Sequence, residues 1–292
     1  MMVWLRLTRA RLVATAWSNT LLGAALAAHI RGERVQPREF SAALISATAL
    51  YLMGMALNDY MDRGRDRTVH PDRPLPSGLI TLRAARVLLL LLLISSILAS
   101  AFAGWSTLVA TLGVTLLIVS YDCVTKQLGI IGAVSMGLVR FALVLIGATT
   151  ATGHAFGAKD VCLAAGVVGL YVALLTHFSQ EEERSDRKIL VRRCGRILGF
   201  ACAAILVSFA SARVLSAIAF IGLLMWTWHA IAPLRSEPPA PQRATLRLLL
   251  GLFILDAALL LFYDQIWPAV VCLSLGAITT LPFYFPVWSR RK

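Results

Sequence analysis

Charge is scarce in this sequence. Only 15% of its 292 residues are Asp, Glu, Lys or Arg, against about 25% in an ordinary soluble domain. Acids are scarcer still, 15 against 28 basic residues. With 58% hydrophobic residues and a mean hydropathy of +0.75, this shortage excludes a soluble globular chain. Period-two alternation is missing from the apolar runs, which excludes a membrane barrel; a backbone in lipid must satisfy its own hydrogen bonds, and helices remain. The five cysteines, Cys123, Cys162, Cys194, Cys202 and Cys272, are odd in number, widely spaced and without a CxxC pair. They read as small core residues rather than a disulfide framework or a zinc site. There is no internal repeat, low-complexity tail or long linker, and the only proline-rich piece is APLRSEPPAPQR at 232–243.

What is present is a series of apolar runs of about 20 residues, the length a helix needs to cross the hydrocarbon core. They fall at 11–30, 39–58, 84–103, 105–121, 130–151, 160–178, 196–212, 214–233, 245–263 and 266–288. The expected fold class is all-α, a polytopic transmembrane helical bundle of nine to ten spans, with residues 1–292 forming a single integral-membrane domain. LRLTRAR before the first run resembles a signal peptide, but the run is longer than the usual hydrophobic region and leads into further spans, so an uncleaved helix is expected.

The net charge of +13 sits in the short connections, where it sets topology and handles phosphate rather than nucleic acid. In a ten-span arrangement 22 Lys and Arg fall on the side of the N-terminus and five on the other, with Arg140 inside a span. This bias predicts a cytoplasmic N-terminus in a multi-pass cell-membrane protein.

The second run ends in NDYMDRGRDRTVHPDRPLPSG, residues 58–78. Asn58, Asp62 and Asp66 are four apart, which on a helix places them within about 80° of one another along one stripe. Asp59 flanks the stripe about 100° away. Carboxylates stacked this way repel unless a cation sits among them, and hard oxygen ligands favour Mg²⁺, with substrate phosphates completing its shell. A second acidic stretch, SQEEERSDRK at 179–188, follows the sixth run on the same side. Glu182 and Asp186 are again four apart, with Arg187, Lys188, Arg192 and Arg193 close behind. Two acidic stripes interleaved with Arg and Lys suit a diphosphate bound through bridging magnesium ions, and a diphosphate on a hydrophobic tail suits a membrane site. A solvated helix end with Asp and Arg paired across turns is the bland alternative.

NDYMDRGRD resembles the NDxxDxxxD motif of the UbiA-type intramembrane prenyltransferase superfamily, and RTVHPDRPLPSG is similar to the segment that follows it there. Glu182 and Asp186 look like the second DxxxD motif with Glu for the first Asp. Tyr121 and Lys126 in YDCVTKQLG match a similar Tyr and Lys, and YDCVTKQLGIIGAVSMGLVRFALVLIGA resembles the EboC-like branch. The likeness covers most of the chain and weakens after residue 200. It implies a helical bundle around a central cavity, dependence on Mg²⁺, and an isoprenyl diphosphate substrate (geranyl, farnesyl or geranylgeranyl) joined to an aromatic or other small acceptor. Carried over, Asn58, Asp62 and Asp66 would hold one magnesium and Glu182 and Asp186 the second. Arg67, Arg73, Lys126 and Arg187 or Lys188 would hold the diphosphate, beside Tyr121. The family commonly has nine spans where this sequence shows ten.

Two ionisable groups lie within spans, Arg140 and Asp256, and such groups usually face the bundle interior. Arg140 is placed to reach a diphosphate or an acidic acceptor, and Asp256 to act as a general base. Alternatively they form a structural pair, with each other or with Asn19 or Tyr171. Two competing functions stay open: an intramembrane terpene cyclase using the same diphosphate site, with Asp256 removing a proton, and a non-enzymic lipid or metabolite transporter.

Overall fold

The computed structural model describes residues 2–152, 159–180, 187–235 and 240–284. Short helix α1 (Met2–Leu7) is followed by α2 (Ala14–Arg31), α3 (Pro37–Val69), α4 (Leu82–Ala103), α5 (Trp105–Cys123), α6 (Ile130–Thr152) and α7 (Lys159–Ser179). Then come α8 (Arg187–Ala210), α9 (Val214–Ala230), α10 (Pro241–Leu250), α11 (Leu252–Phe262) and α12 (Ile266–Tyr284). No strand occurs among the described residues. The fold is all-α. Seven stretches among the described residues are long and apolar enough to cross a membrane: α3, α4, α5, α6, α7, α9 with its following turn, and α10 with α11. With α2, α8 and α12 these make ten helical rods, in the order and near the boundaries the apolar runs predict. The chain is a multi-pass membrane protein.

The lipid-facing surface is written in side chains that no soluble protein would leave outside. Leu90, Leu91, Ile94 and Leu98 of α4, Leu112 and Leu116 of α5, and Ile218 and Met225 of α9 are all exposed. Together they form an apolar belt of the kind that contacts membrane. Inside, two apolar cores share α2 and α6. One draws on α7 through α12 around Tyr171, Phe178 and Leu223, and the other on α3 and α5 around Leu50, Val114 and Ile146.

With no hydrophobic drive between helices already in lipid, close packing and polar cross-links hold a bundle together. Both are present here. At the crossing of α2 and α6, Gly23 lies against the backbone of Val144 and Gly147 against that of Thr20; a Cβ on either would fall 1.8 Å from a carbonyl oxygen. Hydroxyls bridge the helices as well: Ser46 to Thr111 at 3.1 Å, Thr107 to Thr149 at 2.8 Å, and Trp17 Nε1 donating to Thr48 at 2.8 Å.

The ninth apolar run is not one uninterrupted helix. At Gly251 the rod is interrupted between α10 and α11, where the Gly251 N–H is shared between Arg247 O and Leu248 O, and side chains add to the same carbonyls: Trp226 Nε1 donates to Arg247 O and Tyr171 Oη to Leu248 O, each at 2.6 Å. A broken helix survives in lipid only where neighbours satisfy it in this way. Tyr171 is thereby engaged with α10, not with Arg140 or Asp256.

Connections between the rods gather at two ends. At one end Arg9 meets Asp59, Lys126 meets Asp62, and Gln180 Nε2 donates to Gly129 O at 2.7 Å. At the other end Gln265 meets His29 at 2.8 Å, Tyr263 donates to Asp160 at 3.4 Å and Arg213 pairs with Asp264.

Candidate active site

The site is built on the far end of α3. This helix does not stop where its apolar residues run out but continues through Asn58, Asp59, Asp62 and Asp66 to Val69. His70 closes it, its N–H donating to Asp66 O at 2.9 Å, and the prolines at 71, 74 and 76 forbid continuation, since proline removes a donor and clashes with the preceding turn. The loop that follows folds back. Leu75 and Ile80 are buried against Leu7, Ala56 and Ala85, which pins the loop and brings Arg73 Nη1 to 2.6 Å from Asp66 Oδ2. The same guanidinium lies 3.8 Å from Asp59.

A second cation comes from the N-terminal segment. Arg9 adopts a left-handed backbone, φ 45°, uncommon for a residue with a side chain. At this kink between α1 and the turn at Ala10–Leu12, Nη2 of Arg9 sits 3.1 Å from Oδ1 of Asp59. A third comes from the turn after α5, where Lys126 Nζ forms a short ion pair with Asp62. Asn58 Nδ2 donates to Asp122 Oδ1 of α5 at 3.2 Å, which spends the amide nitrogen and leaves its oxygen as the atom able to bind a cation.

Apart from Asp59 and Asp122, these groups face a cavity of about 430 Å³ between α3, α5, α6, α7 and α10. Its basic end carries Arg9, Asn58, Asp62, Arg65, Asp66, Arg73 and Lys126, and Tyr121 and Arg140 lie further in. An apolar extension of about 50 Å³ continues between α3, α5 and α6, lined by Leu50, Gly54, Ile118, Val139 and Leu143, and shares Tyr51, Asn58, Tyr121 and Arg140 with the main cavity. One space therefore joins a charged end to a greasy one.

A family model for the UbiA prenyltransferase family matches residues 16–236. The chain belongs to the UbiA prenyltransferase family. Digeranylgeranylglyceryl phosphate synthase of Methanothrix thermoacetophila is 32% identical over 99 residues, 34% of this chain and 37% of that protein. The Pyrococcus horikoshii protein of the same name is 34% identical over 95 residues, 32% and 34% of the two chains. The matched segment thus spans about a third of the length of these curated relatives. The structure of a UbiA homolog from Archaeoglobus fulgidus bound to GPP and Mg²⁺ superposes with a TM-score of 0.60 at 18% identity, covering 90% of this chain and 99% of that one. That likeness shows a shared UbiA fold.

Within this UbiA fold the residues singled out from sequence separate into three groups. Asn58, Asp62, Asp66, Arg73, Tyr121, Lys126 and Arg140 all line the one cavity. Arg67 is exposed and outside the lining; one residue past Asp66, it is turned about 100° from the stripe, and Arg65 lines the cavity instead. Asn19 and Asp256 are fully buried and also lie outside the lining. Asp256 Oδ2 accepts from Ser18 Oγ at 2.6 Å and Asn19 Nδ2 at 2.8 Å, so its carboxylate is turned to α2. Glu182 and Asp186 lie outside the described residues, as do the side chains of Arg187 and Lys188.

Four charged or aromatic residues of the cavity walls were not foreseen: Arg9, Tyr51, Arg65 and Asp122. Asp122 carried a signal, an acid directly after Tyr121 at the end of an apolar helix. Arg9 and Tyr51 carried none, because their place depends on the kink at Arg9 and on how α2 and α3 cross.

The donor set fits a hard cation in part. Among the described residues no three His, Cys, Asp or Glu side chains converge as a metal would require; the stripe offers two carboxylates and one amide oxygen, the number Mg²⁺ uses when substrate phosphates supply the rest.

Proposed function

We propose that this chain is a Mg²⁺-dependent intramembrane prenyltransferase, moving an isoprenyl group from its diphosphate to a small acceptor. The observation that supports this reading most is the single cavity whose acidic and basic end opens into an apolar extension. A diphosphate is recognised at one end and a hydrocarbon chain lies in the other. The curated relatives named above are digeranylgeranylglyceryl phosphate synthases, and a structural relative binds GPP and Mg²⁺, in keeping with the same chemistry here.

In this reading Asn58, Asp62 and Asp66 would hold one Mg²⁺, and Glu182 and Asp186, carried over from the motif resemblance, would hold a second. Bound Mg²⁺ supplies the positive charge that makes diphosphate a good leaving group. The chain's own residues do the rest. Lys126 and Arg73, now paired with Asp62 and Asp66, exchange those carboxylates for phosphate oxygens, forming charge-assisted hydrogen bonds that strengthen as the allylic C–O bond ionises. Leu50, Ile118 and Leu143 exclude water from the allylic cation. The chain acts as a single domain with its N-terminus and acidic stripe in the cytoplasm, as the charge bias indicates.

The test is diphosphate release by purified protein given geranyl, farnesyl and geranylgeranyl diphosphates with and without Mg²⁺, together with aromatic and phosphorylated acceptors and mass spectrometry of extracted lipids. We expect Mg²⁺-dependent release and a prenylated product, both reduced at least a hundredfold in Asp62→Ala. Release that ignores Mg²⁺, or that survives in Asp62→Ala, would sink the reading.

A further inference from the structure

A recess of about 450 Å³ lies between the N-terminal segment and α10, next to the main cavity. The two share Arg9, Leu12 and Leu246, but Arg6 and Arg11 face the recess alone. Met2 and Leu5 complete its lining, and no acid contributes to it. Arg6 Nη2 donates to the backbone oxygen of Asp72 at 3.2 Å, and Arg11 makes no hydrogen bond or ion pair to a described residue. Only Arg9 has a carboxylate, that of Asp59.

The kink at Arg9 is what gathers these cations. On an unbroken helix, residues five apart such as Arg6 and Arg11 point about 140° away from each other. The left-handed backbone at Arg9, φ 45°, turns both onto one recess. Like charges gathered in this way repel, and an anion among them replaces that repulsion with charge-assisted hydrogen bonds.

The apolar surroundings say which anion. Met2, Trp4 and Leu5 are 68%, 38% and 45% exposed, an apolar edge on α1 beside the arginines. Tryptophan and long apolar side chains mixed with arginine mark a segment that lies among lipid headgroups. A free phosphate would use the arginines and leave Met2, Leu5, Leu12 and Leu246 facing water. A phospholipid satisfies both, with its phosphate on the guanidinium groups and an acyl chain along the apolar lining. A zwitterionic headgroup brings a cation of its own, so a net-negative lipid fits best.

We infer that this recess binds an anionic phospholipid of the adjoining leaflet, at a site separate from the substrate cavity, and that Arg9 links its occupancy to the acid stripe. As the lipid phosphate draws Arg9 away, Asp59 is left with Arg73, which lies 3.8 Å from it and 2.6 Å from Asp66. Arg73 then turns toward Asp59, and Asp66 is released to a cation. A bound lipid thereby raises the affinity of the stripe for a divalent metal. The lipid site stands on its own observations, whereas the metal link rests on the magnesium reading of the stripe.

The first measurement is native mass spectrometry of the full chain in detergent, titrated with dioleoylphosphatidylglycerol or dioleoylphosphatidylcholine. We expect one phosphatidylglycerol to bind about tenfold more tightly than phosphatidylcholine. Arg6→Gln with Arg11→Gln removes the preference, and Arg83→Gln with Arg86→Gln, which takes the same charge from the start of α4, keeps it. No preference in the wild type, or equal loss in the two double variants, overturns the site and leaves general attraction of lipid to a basic surface. Displacement of the lipid by millimolar glycerol phosphate overturns the choice of a lipid over a free phosphate ester. If the Arg6 and Arg11 double variant does not assemble, Arg11→Gln decides alone, since Arg11 has no partner to lose.

Mn²⁺ then probes the stripe in nanodiscs of either lipid, with the free ion read by electron paramagnetic resonance. The wild type is expected to bind Mn²⁺ about fivefold more tightly than the Arg6 and Arg11 double variant in phosphatidylglycerol, and no more tightly in phosphatidylcholine. Comparing variants within one lipid cancels the Mn²⁺ that the bilayer itself attracts. Equal affinities in phosphatidylglycerol overturn the link through Arg9. Absence of Mn²⁺ binding to the protein in both lipids counts against the magnesium reading instead.

Discussion

Asp122 shows how much of a site depends on groups that act through a neighbour. It accepts from Asn58 across the gap between α5 and α3 and is 8% exposed. Outer partners of this kind orient metal ligands, and losing one typically costs about 10–100-fold in metal affinity. Asp122→Ala is therefore expected to raise the Mg²⁺ needed for half-maximal turnover by about tenfold while leaving most of the rate at saturating metal. A Mg²⁺ titration of diphosphate release checks this, and an unchanged requirement would free Asn58 from any ligand role. The stripe of Asn58, Asp62 and Asp66 was legible in the sequence because a spacing of four fixes a helical face whatever the tertiary fold. Arg9 was not, since it lies 50 residues from Asp59 and arrives through a single left-handed residue. The surroundings of Asp256 were illegible for a related reason: its donors Ser18 and Asn19 lie more than two hundred residues away in the chain.

The crossing of α2 and α6 is the most demanding feature among the helices. A methyl group on Gly147 would meet Thr20 O at 1.8 Å, and one on Gly23 would meet Val144 O at the same distance. Backbone cannot swing aside as a side chain does, so the helices must part, and overpacking costs about 1–3 kcal/mol or more. Gly23→Ala and Gly147→Ala should each lower the melting temperature of the detergent-purified protein. Gly166→Ala, where an added Cβ has nothing within 4 Å, should leave it unchanged and serves as the control. Runs of about 20 apolar residues placed the helices well, because crossing lipid demands length and little else. The interruption at Gly251 was invisible: GLFILDAALL continues the apolar pattern without pause, and the extra donors to the carbonyls there, Trp226 and Tyr171, come from other helices.

At the level of the whole molecule, the two sets of connections fix how the chain sits. The end that gathers Arg9, Arg73 and Lys126 is the basic one, and the orientation proposed from the positive-inside bias, with this end in the cytoplasm, is open to a direct test. In a cysteine-free background, Ser77→Cys should react with a membrane-impermeant maleimide in inverted vesicles only, and Glu33→Cys in right-side-out vesicles only. The reverse pattern would place the acids outside and remove the cytoplasmic diphosphate pool as a substrate source. The overall bundle was legible from composition and a central cavity from the motif resemblance; which residues wall it was only partly legible, because they come from five helices whose crossings no linear pattern encodes.

Helix α3 has 33 residues, so it is about 50 Å long at 1.5 Å per residue, while the hydrocarbon core of a bilayer is about 30 Å thick. Lipid span and acid stripe are thus one continuous rod, and the height of the carboxylates above the bilayer midplane is set by that rod alone. Membrane thickness becomes a variable the protein cannot ignore. In a thin bilayer the acids stand clear in water; in a thick one the same rod must tilt less or draw the stripe down among the headgroups.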